Sequence, residues 1–306
     1  MSDQDVGHRW LSRGELTANP GLPEDIDALL ADEELAREHI LRHCWPDGEV
    51  ACPRCLERKC YGLVDGRYRC SGCKYTFQDF SGRWINNGGL NCRQWLALLR
   101  MFVEEHTTHG LAEQLELSYN TAYKALTALR FALVAGGTDA MQMFGPGTGL
   151  GQYVKGKKLT GLPGSRPGLI PVFGVLEKTR WVFIDLLPNL DAETVFHFNL
   201  NFHLKLVLSG HIGYTDRYKG YDTLLFCGDD SLPYGCVRKT AGRAYVDASD
   251  STFWTFALPR LRRFKGLSTR RFPLYIKELE FRFNHRDEPL FEKVLELLCS
   301  PVPDLK

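Results

Sequence analysis

"CPRCLERKCYGLVDGRYRCSGC", residues 52–73, carries two C-x2-C pairs separated by fourteen residues. Zinc favours four soft ligands in a tetrahedron. One C-x2-C turn brings two sulfurs to one side of that tetrahedron, and a second turn completes it. The intervening segment can fold back as a short hairpin, with Asp65-Gly66 as its turn. Cys52, Cys55, Cys70 and Cys73 fill every position, so the site is read as structural. Cys60 is a competitor for a ligand position, but it has no paired cysteine nearby. Arg54, Arg58, Lys59, Arg67, Arg69 and Lys74 surround the motif. On charge alone they read equally as a phosphate-facing surface or as a solvated face.

The remaining cysteines, Cys44, Cys60, Cys92, Cys227, Cys236 and Cys299, lack metal-ligand spacing and are expected as small buried hydrophobes. The 306 residues allow one large domain with small ones, or two medium domains. With 44% apolar and 25% charged residues, the composition is that of a soluble globular protein. No apolar run is long enough for a membrane span, and the polar N-terminus lacks a signal-peptide core, so a reducing, cytoplasmic or DNA-associated setting is expected. A net charge of +1 neither demands nor excludes nucleic acid.

Upstream, residues 1–22 are polar and expected to be loosely ordered, and residues 24–43 read as an acidic helix. Downstream, 90–105 reads as a helix burying Trp95, Leu98, Leu99, Phe102 and Val103. "GLAEQLELSYNTAYKALTALR", 110–130, has helix-turn-helix form. Leu111, Ala112, Leu115 and Leu117 face inward on its first helix. Ser118 caps the second helix, which buries Ala122, Leu126 and Leu129. Tyr119, Asn120, Tyr123 and Lys124 then point outward at the end that enters the major groove in such motifs. A helical hairpin in a domain core is the competing reading. Residues 169–177 and 180–188 read as a hairpin, a helix is expected from Asp191, and a strand is expected to end at Asp216.

The order of "WPDGEVACPRC", "GRYRCSGCKYTF", "CRQWLALLRMF" and the two-helix segment resembles the zinc-ribbon insertion-sequence transposases of the ISXO type. "PVFGVLEKTRWVFIDLLPNLDAETV", "YTDRYKGY" and "FWTFALPRLRRFKGLSTRRFPLYIKELEFRFNHR" extend the resemblance over about residues 28–290. It implies an α/β, RNase H-like mixed sheet with flanking helices, preceded by the zinc ribbon and the helix-turn-helix region. The implied organisation is a loose N-terminus over 1–22, helix plus ribbon over 23–84, DNA-binding helices over 88–135, a transposase domain over 138–298 and a tail over 299–306.

Family chemistry needs two divalent metals, magnesium or manganese, held by an Asp on the first strand, an Asp ending the fourth, and a Glu on a later helix. Carried over by position, Asp216 is the second acid. Phe144 stands where the first Asp is expected, in a strand read through "MQMFGP", and Ser251 stands where the Glu is expected. Phe cannot ligate a metal and Ser is a weak neutral ligand, so one carboxylate would face two cations. Asp139, Asp247 and Asp250 are the neighbours considered as replacements, and none has a favourable position.

The DNA-facing parts look intact. Arg260, Arg262, Arg263, Lys265, Arg270 and Arg271 form a basic stretch, to which Lys155, Lys157 and Lys158 can add. Glu278, Arg282 and Asn284 in "ELEFRFNHR" read as structural or terminus-facing. The expectation is a transposase-family protein that binds double-stranded DNA, at terminal inverted repeats, as a homo-oligomer. Its metal-dependent cleavage and strand transfer are expected to be lost or strongly reduced. The alternatives are an active enzyme with acids relocated around Asp216, or a repurposed regulatory or assembly protein.

Overall fold

Asp32 divides the first helical stretch in two. Helix α1 (Ile26–Ala31) ends before it and α2 (Glu33–Cys44) starts after it. Asp32 is extended, and its carboxylate accepts hydrogen bonds from the Glu34 and Leu35 amides. These amides have no partner within the helix, so the cap fixes the break. One helix over 24–43 is therefore corrected to two. The computed structural model describes residues 26–145, 172–178, 181–186, 222–227, 238–240, 243–245, 252–264 and 271–303, with Pro23 and Leu150.

The ribbon is a three-stranded antiparallel sheet of β1 (Cys60–Gly62), β2 (Tyr68–Cys70) and β3 (Thr76–Phe77). Gly66 takes φ +76° in the β1–β2 turn, where Asp65-Gly66 was expected to reverse the chain. Beyond it lies a 3-10 turn, Trp84–Asn87, then α3 (Cys92–Val103). Asn91 and Gln94 form a reciprocal capping box at the start of α3, and all five expected apolar positions are buried.

Gly88 permits the approach of Trp95. A Cβ at position 88 would lie 2.1 Å from Trp95 Cζ2. Gly88→Ala is therefore expected to destabilise the fold by about 1–3 kcal/mol through overpacking. A urea titration should show a lower midpoint at unchanged slope. An unchanged midpoint would mean that the ring repacks freely.

Helices α4 (Thr108–Gln114) and α5 (Tyr119–Ala135) follow, and every residue from Ala125 to Val134 is buried. A helix buried on all sides belongs at the centre of its domain. Around α5 pack α4, the 3-10 turn, α8 (Phe272–Asn284) and α9 (Leu290–Cys299). Arg83 ties the edges of this bundle together. Its guanidinium donates to the carbonyls of Cys44 and Cys299, which end α2 and α9. A cation there meets the negative ends of two helices at once.

The strand expected through "MQMFGP" is not formed. Ala140–Met143 is a single helical turn, α6, and Phe144 follows in its αR cap. Phe144 is buried, stacked with Trp84 and Phe131 at ring separations of 6.3 and 6.2 Å. Apolar burial against α5 decides the local structure.

The second sheet has β4 (Val172–Lys178) at its centre, between β5 (Trp181–Leu186) and β6 (Asp222–Cys227). The expected hairpin is present, with Lys178 opposite Trp181. Strands β7 (Arg238–Thr240) and β8 (Arg243–Tyr245) pair separately. All of these ladders are antiparallel. The described residues thus form a mixed α/β architecture.

Helix α8 seals the outer edge of β5. Asn284 accepts from the Val182 amide at 2.8 Å and donates to the Val182 carbonyl at 2.7 Å. Two residues along, the Ile184 amide donates to Glu280 at 2.7 Å and the Ile184 carbonyl accepts from Lys277 at 2.9 Å. Alternate strand residues face outward, and helix positions three and four apart share a face, so the two periods mesh. Arg282 and Glu278 face α5 instead, in a buried network. Glu278, Arg282 and Asn284 of "ELEFRFNHR" each make side-chain contacts within the fold.

Candidate functional site

The four sulfurs of Cys52, Cys55, Cys70 and Cys73 lie within 4.8 Å of one another. The Cys52–Cys73 and Cys55–Cys70 separations are both 3.6 Å. A tetrahedron with Zn–S bonds of about 2.3 Å has sulfur–sulfur edges of about 3.8 Å, so the cluster fits structural zinc. Both turns are built alike. The residue after the second cysteine of each pair, Leu56 and Lys74, takes a left-handed φ of 61° and 62°. Amide donation from Cys73 and Gly72 and the neighbouring thiols outweigh desolvation at Cys70 and bring its thiol down to about 7. Cys60 stands outside the cluster, donating to the Glu57 carbonyl, and desolvation pushes its thiol up to about 11. It does not compete. Arg58 pairs with Glu49 and Asp47, and Arg67 pairs with Asp65, so part of the surrounding basic surface is neutralised internally.

The fold brings three separate sequence segments to one cleft of about 800 Å³. Tyr119, Asn120 and Tyr123 line one wall, from the first turns of α5. Arg260 and Arg263, from α7 (Thr252–Arg263), and Arg271, just before α8, line the other. Ser118 caps α5 through the Thr121 amide, as expected, and Glu116 turns the chain between α4 and α5 at φ 53°. Tyr119 and Tyr123 stack at 6.1 Å, and the Arg271 guanidinium lies 4.8 Å from the Tyr123 ring. Lys124 is exposed and stands apart from the cleft lining.

Glu105 is the cleft residue that sequence reasoning missed. Its Oε1 accepts from Arg260 at 2.9 and 2.7 Å, and its backbone carbonyl accepts from Arg263 at 2.8 Å. Glu105 holds this position at φ 61°, beyond the C-terminus of α3. Both arginines are thereby paired with one carboxylate, so part of the cleft's positive charge is neutralised within the fold. No local pattern announces it, because the partners are 155 and 158 residues apart.

The acid positions separate differently. Asp216, Ser251, Asp247, Asp250, Lys265, Arg270 and Lys155, Lys157 and Lys158 lie outside the described residues, as do the helix expected from Asp191 and the strand expected to end at Asp216. The side chain of Arg262 does too. Helix α7 starts at Thr252, immediately after Ser251, and buries Phe253 fully. Asp139 is committed elsewhere: it makes an ion pair with Lys277 at 2.7 Å, both side chains being almost wholly buried. Lys277 also pairs with Glu280, whose carboxyl burial pushes up to about 7 against the pull of Lys277. This charge cluster braces β5.

Residues 31–76 match the family model described as a transposase zinc-ribbon domain, and residues 143–284 match the ISXO2-like transposase domain. An uncharacterised transposase-like protein of Haemophilus influenzae is 27% identical over 111 residues, spanning 35% of this chain and 83% of that protein. No solved structure matches the chain. Both matched segments mark the chain as carrying, in order, the zinc ribbon and the transposase domain of the ISXO-type insertion-sequence transposases.

Proposed function

We propose that this is a transposase-family DNA-binding protein acting at the terminal inverted repeats of an insertion sequence, with metal-dependent cleavage and strand transfer lost or strongly reduced. The observation that carries the DNA reading is the cleft. The aromatic and amide groups at the start of α5 share it with Arg260 and Arg263 of α7, which are paired with Glu105, and with Arg271 just before α8. Arginines suit phosphates, and the exposed end of a second helix suits base edges. In this reading α4 and α5 form a helix-turn-helix, and the transposase domain is RNase H-like.

The loss of catalysis rests on the resemblance, which puts Phe144 and Ser251 at two of the three acid positions with Asp216 as a remnant, although Phe144 lies in a helical cap packed on Trp84 and Phe131 and not on a strand. Two divalent ions need more carboxylate charge than one Asp supplies. The ion pair of Asp139 with Lys277 supports this reading by occupying one of the replacement acids.

The test is binding of the full chain to duplex DNA carrying the inverted repeats that flank its own coding region. The logarithm of affinity should fall linearly with the logarithm of salt concentration. Arg271→Ala should weaken binding to all sequences alike and lower the salt slope by about 1. Asn120→Ala should instead relax sequence preference. Manganese or magnesium should yield no cleavage, and Asp216→Ala should leave binding unchanged. Cleavage abolished by Asp216→Ala would establish the active-enzyme alternative. Absence of any DNA binding would favour an assembly role.

A further inference from the structure

A second group of metal-ligating side chains stands apart from the ribbon and the cleft. His39 and His43 are one helical turn apart on α2, and Glu292 reaches them from the first turn of α9. His39 Nε2 lies 3.6 Å from Glu292 Oε1, and His43 Nε2 lies 2.9 Å from Oε2. All three ligand atoms fall within 4.8 Å of one another. We propose that His39, His43 and Glu292 form a second metal site, for a divalent transition ion of the zinc or cobalt class, clasping α2 to α9.

Histidines at i and i+4 present two imidazoles on one helix face, the arrangement a zinc-class ion takes from a helix. Tetrahedral bonds of about 2.0–2.1 Å give ligand–ligand edges of about 3.4 Å; the two histidine nitrogens lie 3.6 and 2.9 Å from the two oxygens of Glu292, and one ligand atom from each of the three residues falls within 4.8 Å of the others. The donor set is two imidazole nitrogens and one carboxylate, which suits zinc and its neighbours rather than calcium or magnesium. His39 Nε2 is buried, and the carboxylate of Glu292, at 3.6 Å, stands at ion-pair rather than hydrogen-bond distance from it. Buried polar atoms are ordinarily satisfied, and this nitrogen faces the carboxylate across a gap too wide for a hydrogen bond. A metal ion placed between them would bind both. The side chains of His43 and Glu292 are 23% and 37% exposed, which leaves room for water as the fourth ligand. Neither the cysteine cluster nor the DNA reading enters this proposal.

Cobalt(II) is the probe, added to the metal-stripped full-length protein under reducing conditions. The wild type should bind two equivalents. The cysteine-bound equivalent gives thiolate-to-cobalt charge-transfer absorption, and the second gives only weak d–d bands. Glu292→Gln keeps the shape of the side chain and should lose the second equivalent while retaining the charge-transfer band. His43→Ala should do the same. The retained thiolate band, with unchanged far-ultraviolet circular dichroism, shows that each variant is folded. A single equivalent in the wild type, or two in both variants, would overturn the proposal. If a variant loses both equivalents, its fold has failed, and the wild-type stoichiometry alone then decides.

Discussion

Stripping the ribbon with a strong chelator is expected to unfold residues 50–80 while the helical bundle stays folded. The ribbon's own core is small: Cys52, Cys70 and Phe77 are buried, with Val50, Cys60, Tyr68 and Cys73 packed against them. Its strands are three, three and two residues long. So little apolar burial cannot offset the entropy of ordering the segment. Closure of a four-thiolate zinc site contributes about 10–16 kcal/mol in small ribbon-like modules, far more than those contacts supply. Cys55→Ser should act like the chelator. Hydrogen exchange is the direct measurement, through loss of amide protection at Tyr61 and Arg69 but not in α5. Protection that survives chelation would show that zinc is not what holds the ribbon. The Arg37–Asp79 ion pair, at 2.5 Å between α2 and the ribbon exit, should be lost with it.

The second large effect is expected at Glu278. Its carboxylate accepts from Arg130 Nε at 2.7 Å and from Arg282 Nε at 2.8 Å, with all three side chains almost completely buried. Arg282 also donates to the Phe102 carbonyl at 2.7 Å, and Arg130 stacks on Tyr275 at 4.0 Å. Glu278→Ala would leave two guanidiniums buried without a counter-charge, a change that costs about 3–5 kcal/mol. Glu278→Gln, which keeps an acceptor, should cost less. Urea unfolding of the two variants measures this, and equal stability of Glu278→Ala and the wild type would show that water reaches the site. Desolvation alone would raise the Glu278 carboxyl, but the two guanidiniums overcome it and hold it below the usual value. A depressed carboxyl stabilises the fold above its unfolded pKa of about 4.3 and loses that contribution as pH falls through the folded value. Glu278→Ala should therefore flatten the acid limb of the stability curve.

What the residues announced in advance was local. The cysteine spacing, the buried stripe of α3, the cap and inner face of α5, and the β4–β5 hairpin each rest on contacts within a few residues. Asp32 was equally readable as a cap, since Glu33 and Glu34 follow it at a helix start, and Asn91 with Gln94 spelled out a capping box. Features joined across the chain were hidden. Arg130 reads as one more helix arginine until α8 brings Glu278 to it, 148 residues later. Glu105 reads as one more solvent-facing acid until α7 brings Arg260 and Arg263. Phe144 misled for a related reason. "MQMF" suits a strand as well as a helix turn, and only packing against Trp84 and Phe131 chooses between them.

The pinning of β5 by α8 fixes the direction in which the sheet can grow. Over Val182 and Ile184 the outer rim offers no vacant amide or carbonyl to another strand, from this chain or a neighbouring one. An incoming strand would have to evict Asn284, Glu280 and Lys277 first. Among the described residues, addition of a strand is therefore blocked at Val182 and Ile184, and the free side of the three-stranded sheet is the one beyond β6.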